Sequence, residues 1–391
     1  MDAPDARIAL VQDALPFIGG AERSLSAVLE LYPRSSIFTV IYNQEAFTGN
    51  LIHASPVHTS FVNRLPGKRT HYKVYAPFFP LAVEQFDLRP YDLVISFNYA
   101  FAHGVLTQPG QLHLSYTYTP LRYAWHDHHA FVSSAKSRLH SLILRVFSHY
   151  FRIWDYSASA RVDHFVAISN SIAQRVWRSY YRRSEVIYPP VEVDRFSASL
   201  AREPYFICLS RLVPSKKVDL IVSSFSSLGL PLLVVGDGPE KPRLERLAAP
   251  NVRLLGHLPD EEVALLLGRA RALVHAAEED FGIVPVEAQA AGCPVIAFGR
   301  GGVLETVLEG ETGFFFNEQT TESLIEAVRA FENHRLRLDP FSIRRNALRF
   351  SKERFQDEFR SMVEREWQIF NRKHNLQFTV EQGLDVYKSQ P

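Results

Sequence analysis

Short apolar runs, each closed by a glycine or polar loop and followed by a helix-spaced segment, recur from one end of the chain to the other. This alternation constrains the fold more than any other feature. A strand that is apolar on both faces must be covered on both faces, and the helices that link parallel strands supply the cover. The first run, residues 7–12, leads into a loop holding Gly19 and Gly20, after which Leu25, Val28, Leu29 and Leu31 follow near-helical spacing. Strand, glycine turn and helix make the opening unit of a doubly wound α/β domain. Further strands are expected over 36–42, 93–97, 113–116 and 165–168, with a Ser/Asn-capped helix over 169–180.

Residues 186–196 read as a boundary, because Pro189 and Pro190 can continue neither a helix nor a central strand. The pattern then restarts. Strands are expected over 205–209, 232–235, 252–255, 272–275 and 294–298, with helices over 218–228, 240–249, 260–268 and 285–291. A mixed-charge helix is expected over 342–370, and 371–391 is a weakly patterned tail. The fold class is therefore α/β, with two Rossmann-like domains at 1–190 and 191–370. A chain of 391 residues suits that division better than one oversized core. Two such units in tandem imply a ligand cleft between them, over the carboxyl ends of the strands.

Charge narrows the partners. Against 43 Lys and Arg stand 42 Asp and Glu, a net +1, so the whole chain lacks the basic bias of a nucleic-acid binder. Residues 1–190 hold 18 basic and 13 acidic side chains, which points the first half towards something anionic. Cys208 and Cys293 each sit in an apolar, strand-like context and read as buried thiols. The N-terminus lacks a basic-then-apolar leader, and no apolar run reaches the ~18–20 residues that span a bilayer. A cytoplasmic location follows as the expectation, with peripheral contact on the inner face of the membrane as its extension.

Two segments carry the chemistry. In Glu278-Glu279-Asp280-Phe281-Gly282-Ile283-Val284-Pro285-Val286-Glu287, an acidic loop after strand 272–275 opens a helix. Pro285 suits the first helical position and puts Glu287 in the first turn. The unpaired N–H groups of that helix start favour an anion such as phosphate. Glu287 either accepts hydrogen bonds from sugar hydroxyls or only complements the helix dipole. The second segment, Ser210-Arg211-Leu212-Val213-Pro214-Ser215-Lys216-Lys217, places cations directly after strand 205–209. Arg pairs with a diphosphate in bidentate fashion and Lys as a point charge; the alternative is a solvated basic loop.

Together with the early GGAER, the GDGPE turn and the GCPVIAFGRGGVLETV that follows, these segments resemble the family 4 glycosyltransferases over nearly the whole chain. The resemblance implies the GT-B architecture, with a C-terminal helix crossing back to the first domain, and transfer with retained anomeric configuration. The TPLRYAW, VDHFVAIS and YPPVEVDRF stretches are similar to a branch of mannosyltransferases in O-antigen, lipopolysaccharide and exopolysaccharide assembly. By resemblance, Arg211 and Lys216 neutralise the leaving diphosphate, Glu279 holds the donor sugar and Glu287 the ribose. Phe281, Gly282 and Ile283 line sugar and phosphate, Gly19 and Gly20 close over the phosphate side, and Gly256, His257 and Leu258 lie near the base. The substrate implied is a GDP- or UDP-sugar, GDP-mannose first, with no cofactor and no divalent metal. The acceptor implied is a glycan or a polyprenyl-diphosphate-linked sugar.

Tyr118-Thr119-Pro120 departs from the His-Thr-Pro common in the family, and a phenol is no acid–base substitute for imidazole near neutral pH. The run His126-Asp127-His128-His129 mimics a metal site, yet a loop or helix-end surface cluster accounts for it better. On the acceptor side, Leu139, Leu142, Ile143, Val146, Phe147, Tyr150, Phe151 and Trp154 form one continuous helical face among Lys136, Arg138, Arg145 and Arg152. That face, with the basic aromatic stretch 64–80 around Lys68, Arg69 and Lys73, either packs inside the first domain or meets anionic lipid. A nicotinamide oxidoreductase, a nucleotide-sugar epimerase and an inactive binding module are the rival readings. No early G-x-G-x-x-G supports the first, and the glutamate pair opposes the second.

Overall fold

The computed structural model describes residues 6–67, 72–334 and 338–388, without the side chains of 73 and 374–388. It divides into two compact units. Met1–Ile168, Ile172–Ile187 and Gln356–Pro391 form the first, and Ser169–Ser171 with Tyr188–Phe355 the second.

The first unit is a seven-stranded parallel sheet. Its strands are β1 (Ile8–Gln12), β2 (Ser36–Thr39), β3 (Val57–Thr59), β4 (Leu93–Asn98), β5 (Leu112–Thr117), β6 (His164–Ala167) and β7 (Ser184–Val186), in the order β3-β2-β1-β4-β5-β6-β7. β1, β4 and β5 are buried along their whole length, as strands covered on both faces must be. The order reverses between β1 and β4, which makes the loops after these two strands the natural ligand end. Asp13 ties those loops together. Its buried carboxylate accepts the backbone N–H groups of Tyr99, Ala100, Phe101 and Ala102 at 2.5–3.0 Å.

The second unit is a six-stranded parallel sheet of β8 (Phe206–Leu209), β9 (Leu232–Val235), β10 (Val252–Gly256), β11 (Leu273–His275), β12 (Val295–Phe298) and β13 (Gly313–Phe316). The order is β10-β9-β8-β11-β12-β13, so the switch lies between β8 and β11. The loops that follow those two strands are the Arg211–Lys216 and Glu278–Gly282 segments.

Three differences from expectation have physical causes. β3, β7 and β13 were not anticipated. β3 and β7 are three-residue edge strands, and their exposed or half-exposed side chains leave no apolar run to read. The helix expected over 342–370 is two helices, Pro340–Ala347 and Lys352–Lys388, separated by a tight turn. Ser351 restarts the helix, its hydroxyl accepting the Arg354 N–H at 3.2 Å. The backbone expected as a tail from 371 is helical to Lys388, and residues from Gln356 onward belong to the first unit, the return of the C-terminal helix that the resemblance implied. Phe359, Met362, Val363 and Trp367 are buried there.

The helix Arg138–Ser159 buries only Ser148, Phe151, Trp154, Asp155, Ala158 and Ser159. Of the two alternatives left open for its apolar face, packing wholly inside the first unit does not hold: most of that face is exposed. Lys68 and Arg69 lie outside the described residues, as does the Lys73 side chain. No helix among the described residues is long and apolar enough to cross a membrane. Both cysteines are free and buried, and burial pushes each thiol up to about 12.

Candidate active site

The second unit gathers its site from loops at the switch point. β8 ends at Leu209, and the chain turns through Ser210 to the short 3-10 turn Pro214–Lys216. A second loop supports this one from below. Leu212 donates its N–H to the Asp237 carbonyl at 2.9 Å, and Glu240 donates to the Leu212 carbonyl at 3.0 Å. Gly236 makes the approach possible, since a Cβ there would stand 1.8 Å from the Ser210 carbonyl oxygen. Gly236 also donates to the Gly256 carbonyl at 2.8 Å, which brings the end of β10 to the same edge.

Across the switch, β11 ends at His275 and leads to Glu279. Lys216 and Glu279 meet in an ion pair, and His275 Nε2 lies 3.3 Å from Glu279 Oε1. Burial alone would raise the Glu279 carboxyl. The His275 contact and the Lys216 charge together outweigh it and hold Glu279 at about 2. Arg211 stands exposed on the same loop as Lys216.

The loop after Glu279 is held by Gly301 and Gly302. Gly302 donates its N–H to the Glu279 carbonyl at 2.7 Å, and a Cβ on Gly302 would lie 2.4 Å from the Asp280 carbonyl oxygen. Gly282 then caps the helix Ile283–Ala290 at φ +92°, a conformation that L side chains rarely adopt. Pro285 is the third helical residue, not the first. The helix tolerates it there because that N–H is among those with no carbonyl to reach. Glu287 accordingly lies in the second turn, and it is buried. Phe281 is also buried, packed on Tyr188 and Phe350, so its ring anchors the loop. His257 is exposed beyond Gly256, with Leu258 half-buried behind it.

Sequence reasoning missed Glu305. Its carboxylate accepts the Asn170 and Ser171 backbone N–H groups at 2.9 and 3.1 Å and the Tyr188 hydroxyl at 3.1 Å, while the Ser169 hydroxyl donates to the Asp280 carbonyl at 2.6 Å. These bonds tie residues 169–171 to the acidic loop. Only the fold brings them together, over more than 100 residues of sequence.

The first unit assembles Gly19, Gly20 and Tyr118. Gly19 opens the helix Gly20–Leu31 and donates its N–H to the Glu22 carboxylate at 2.9 Å. Glu22 also receives Gln12 Nε2 at 3.4 Å, and burial pushes its carboxyl up to about 7. The Tyr118 hydroxyl donates to the Ala21 carbonyl at 3.0 Å, and burial raises the phenol well above its ordinary range. Tyr118 thus braces the glycine turn. Neither Asp13 nor Glu22 was marked from sequence, because a lone acid beside an apolar run carries no distinguishing pattern. Among the described residues, no group of three or more His, Cys, Asp or Glu side chains is arranged to hold a metal ion.

The model of Glycosyltransferase Family 4 matches residues 18–195, and that of Glycosyl transferases group 1 matches 191–348. A GDP-mannose-dependent alpha-(1-6)-phosphatidylinositol monomannoside mannosyltransferase of Mycobacterium tuberculosis is 32% identical over 174 residues, 37% of this chain and 45% of that protein. A D-inositol 3-phosphate glycosyltransferase of Geodermatophilus obscurus is 32% identical over 232 residues, 51% of each chain. The chain thus spans about half the length of these curated relatives. In fold it is similar to HepE of Anabaena, solved in complex with UDP-glucose, at TM-score 0.66 and 18% identity over 91% of this chain and 99% of that one. Two matching domain models that together run from residue 18 to 348, on two Rossmann-like units, place the chain in glycosyltransferase family 4, with the GT-B class of fold.

Proposed function

We propose that the chain transfers a hexose from a nucleoside-diphosphate sugar to a glycan or lipid-linked glycan acceptor, with retention of configuration. The observation that carries this reading is the meeting of Lys216 and Glu279 across the switch point, beside the open helix start at Gly282. A cation, a carboxylate and unpaired amides on one sheet edge suit a ligand that is anionic at one end and rich in hydroxyls at the other.

In this scheme the anomeric carbon–phosphate bond breaks and negative charge grows on the diphosphate. Arg211, Lys216 and the amides at the helix start stabilise that charge, which needs no divalent metal. Glu279, held ionised, accepts hydrogen bonds from the transferred sugar, and Glu287 from the ribose. The leaving phosphate oxygen takes the acceptor hydroxyl's proton as the new glycosidic bond forms on the same face. Gly256, His257 and Leu258 border the base, and Gly19, Gly20 and Tyr118 serve the donor from the first unit.

Mannose from GDP-mannose is the proposed donor, supported by the mycobacterial relative's stated specificity, and surface polysaccharide synthesis is the setting. Thermal-shift measurements with GDP, UDP, GDP-mannose and UDP-glucose test the reading. The largest stabilisation is expected with GDP-mannose. A larger shift with UDP-glucose would move the donor to the UDP-sugars, and no shift with any of the four would overturn the scheme.

A further inference from the structure

The helix Arg138–Ser159 has two apolar faces. One is turned inwards, with Phe151 packed on Phe101 and Trp154 donating its indole N–H to Glu84 at 2.9 Å. The other is outward. Leu139, Leu142, Ile143, Val146, Tyr150 and Ile153 follow the i, i+3, i+4, i+7, i+11, i+14 spacing of one helical stripe. All six are exposed, Leu139 at 68%, Val146 at 60% and Ile153 at 58%. The core needs only the inner face, so stability does not account for the outer one.

Charge selects what covers it. Arg138 and Arg145 stand seven residues apart along one flank of the stripe, and Lys136 precedes them; Arg152, next in that register, is turned back to the Ala124 carbonyl at 2.8 Å. From residue 128 to 154 there is no Asp or Glu, and Asp155 is buried. A second copy of the chain laid stripe to stripe would set these cations against one another with no acid to compensate. An anionic bilayer surface answers both properties at once: apolar side chains enter the acyl boundary while Arg and Lys stay among the headgroups. From Leu139 to Ile153 the stripe is roughly 21 Å long at the helical rise. The neighbouring segment 72–84 adds exposed Val74, Phe78 and Leu81, and its Phe79 joins Phe151 in one core cluster through Phe101.

We propose that the outer stripe of the helix Arg138–Ser159 seats the first unit on a bilayer rich in anionic lipid. This surface stands independently of the donor reading, and it would bring the chain to an acceptor carried in lipid.

Flotation of the full chain with vesicles tests it. Vesicles of equal phosphatidylcholine and phosphatidylglycerol should carry the protein at low salt, and vesicles of phosphatidylcholine alone should carry much less. Leu142→Glu with Val146→Glu should lower the partition coefficient by about tenfold or more, and Arg138→Gln with Arg145→Gln should remove the preference for anionic lipid. These side chains face solvent, so circular dichroism and melting temperature should not change. No flotation with the anionic vesicles, or flotation unaffected by the Leu142/Val146 change, overturns the proposal. So does a lipid-free dimer in sedimentation velocity that the same change abolishes, which would assign the stripe to a second copy. The nucleotide thermal shift, run on the same samples, separates failure of this surface from failure of the donor site.

Discussion

Lys216 and Glu279 hold each other in place before any donor arrives, so the cation is positioned without being left unpaired. Replacing Arg211 by Ala should lower turnover by roughly 10²–10³ while leaving the melting temperature near the parent's. Lys216→Ala should lower turnover as much and also lower the melting temperature, because it unpairs the Glu279 carboxylate. Initial rates with donor and acceptor check the effect on turnover. Glu279 at about 2 is ionised throughout the neutral range. Its favourable ionisation is fully present above the ordinary carboxyl range and is lost only as pH falls through about 2, so no acid limb near neutrality should belong to it. Glu22 behaves in the opposite sense. Its folded carboxyl is pushed up to about 7, so it supports the fold below the ordinary carboxyl range and loses that contribution as pH rises through 7. Glu22→Gln should therefore lose less melting temperature than the parent between about pH 5 and pH 8; an equal loss in both would remove Glu22 from that dependence. The loops that hold Lys216 and Glu279 were legible because each follows a strand end, while the roles given to these residues came from the family resemblance. His275, Asp13 and Glu305 were not legible, since their roles depend on neighbours that only the folded chain supplies.

Among the elements, the most exacting is the loop from Glu279 to the helix Ile283–Ala290, which is shaped by glycine on both sides. Gly282 needs its positive φ, and Ala there should cost roughly 1–2 kcal/mol. Gly302 has ordinary torsions and needs only space. Gly302→Ala should press on the Asp280 carbonyl and weaken nucleotide-sugar binding, with no change of charge in the site. A titration showing parent-like affinity in that variant would mean the loop moves aside freely. The long, fully apolar strands could be read from their runs, and so could the glycine turns. The short edge strands could not, because hydrogen bonding to a neighbour defines them more than composition does. The first helical residue of Ile283–Ala290 was displaced by two positions, because proline is tolerated at several places before the first helical hydrogen bond.

For the whole molecule, the pattern of alternation was enough to give two α/β units and a break near Pro189 and Pro190. Alternation alone does not show the chain's return to its first unit at the end; the family resemblance implied it, and residues from Gln356 onward belong to that unit. Phe359, fully buried against Tyr116, carries much of that return, and Phe359→Ala should destabilise the first unit by about 3–5 kcal/mol in denaturant unfolding. Gln356 adds a hydrogen bond to the Ala27 carbonyl at 2.9 Å, and Arg365 pairs with Glu185. Such a closing helix also reverses the usual order of events during synthesis. Domains generally fold as they leave the ribosome, the first one first. Here the second unit, residues 169–171 with 188–355, is complete once Phe355 has emerged, whereas the unit begun earlier must wait, with part of its core uncovered, for residues 356–367. A nascent chain stalled before Gln356 should therefore protect its second unit from protease and leave its first unit open to attack.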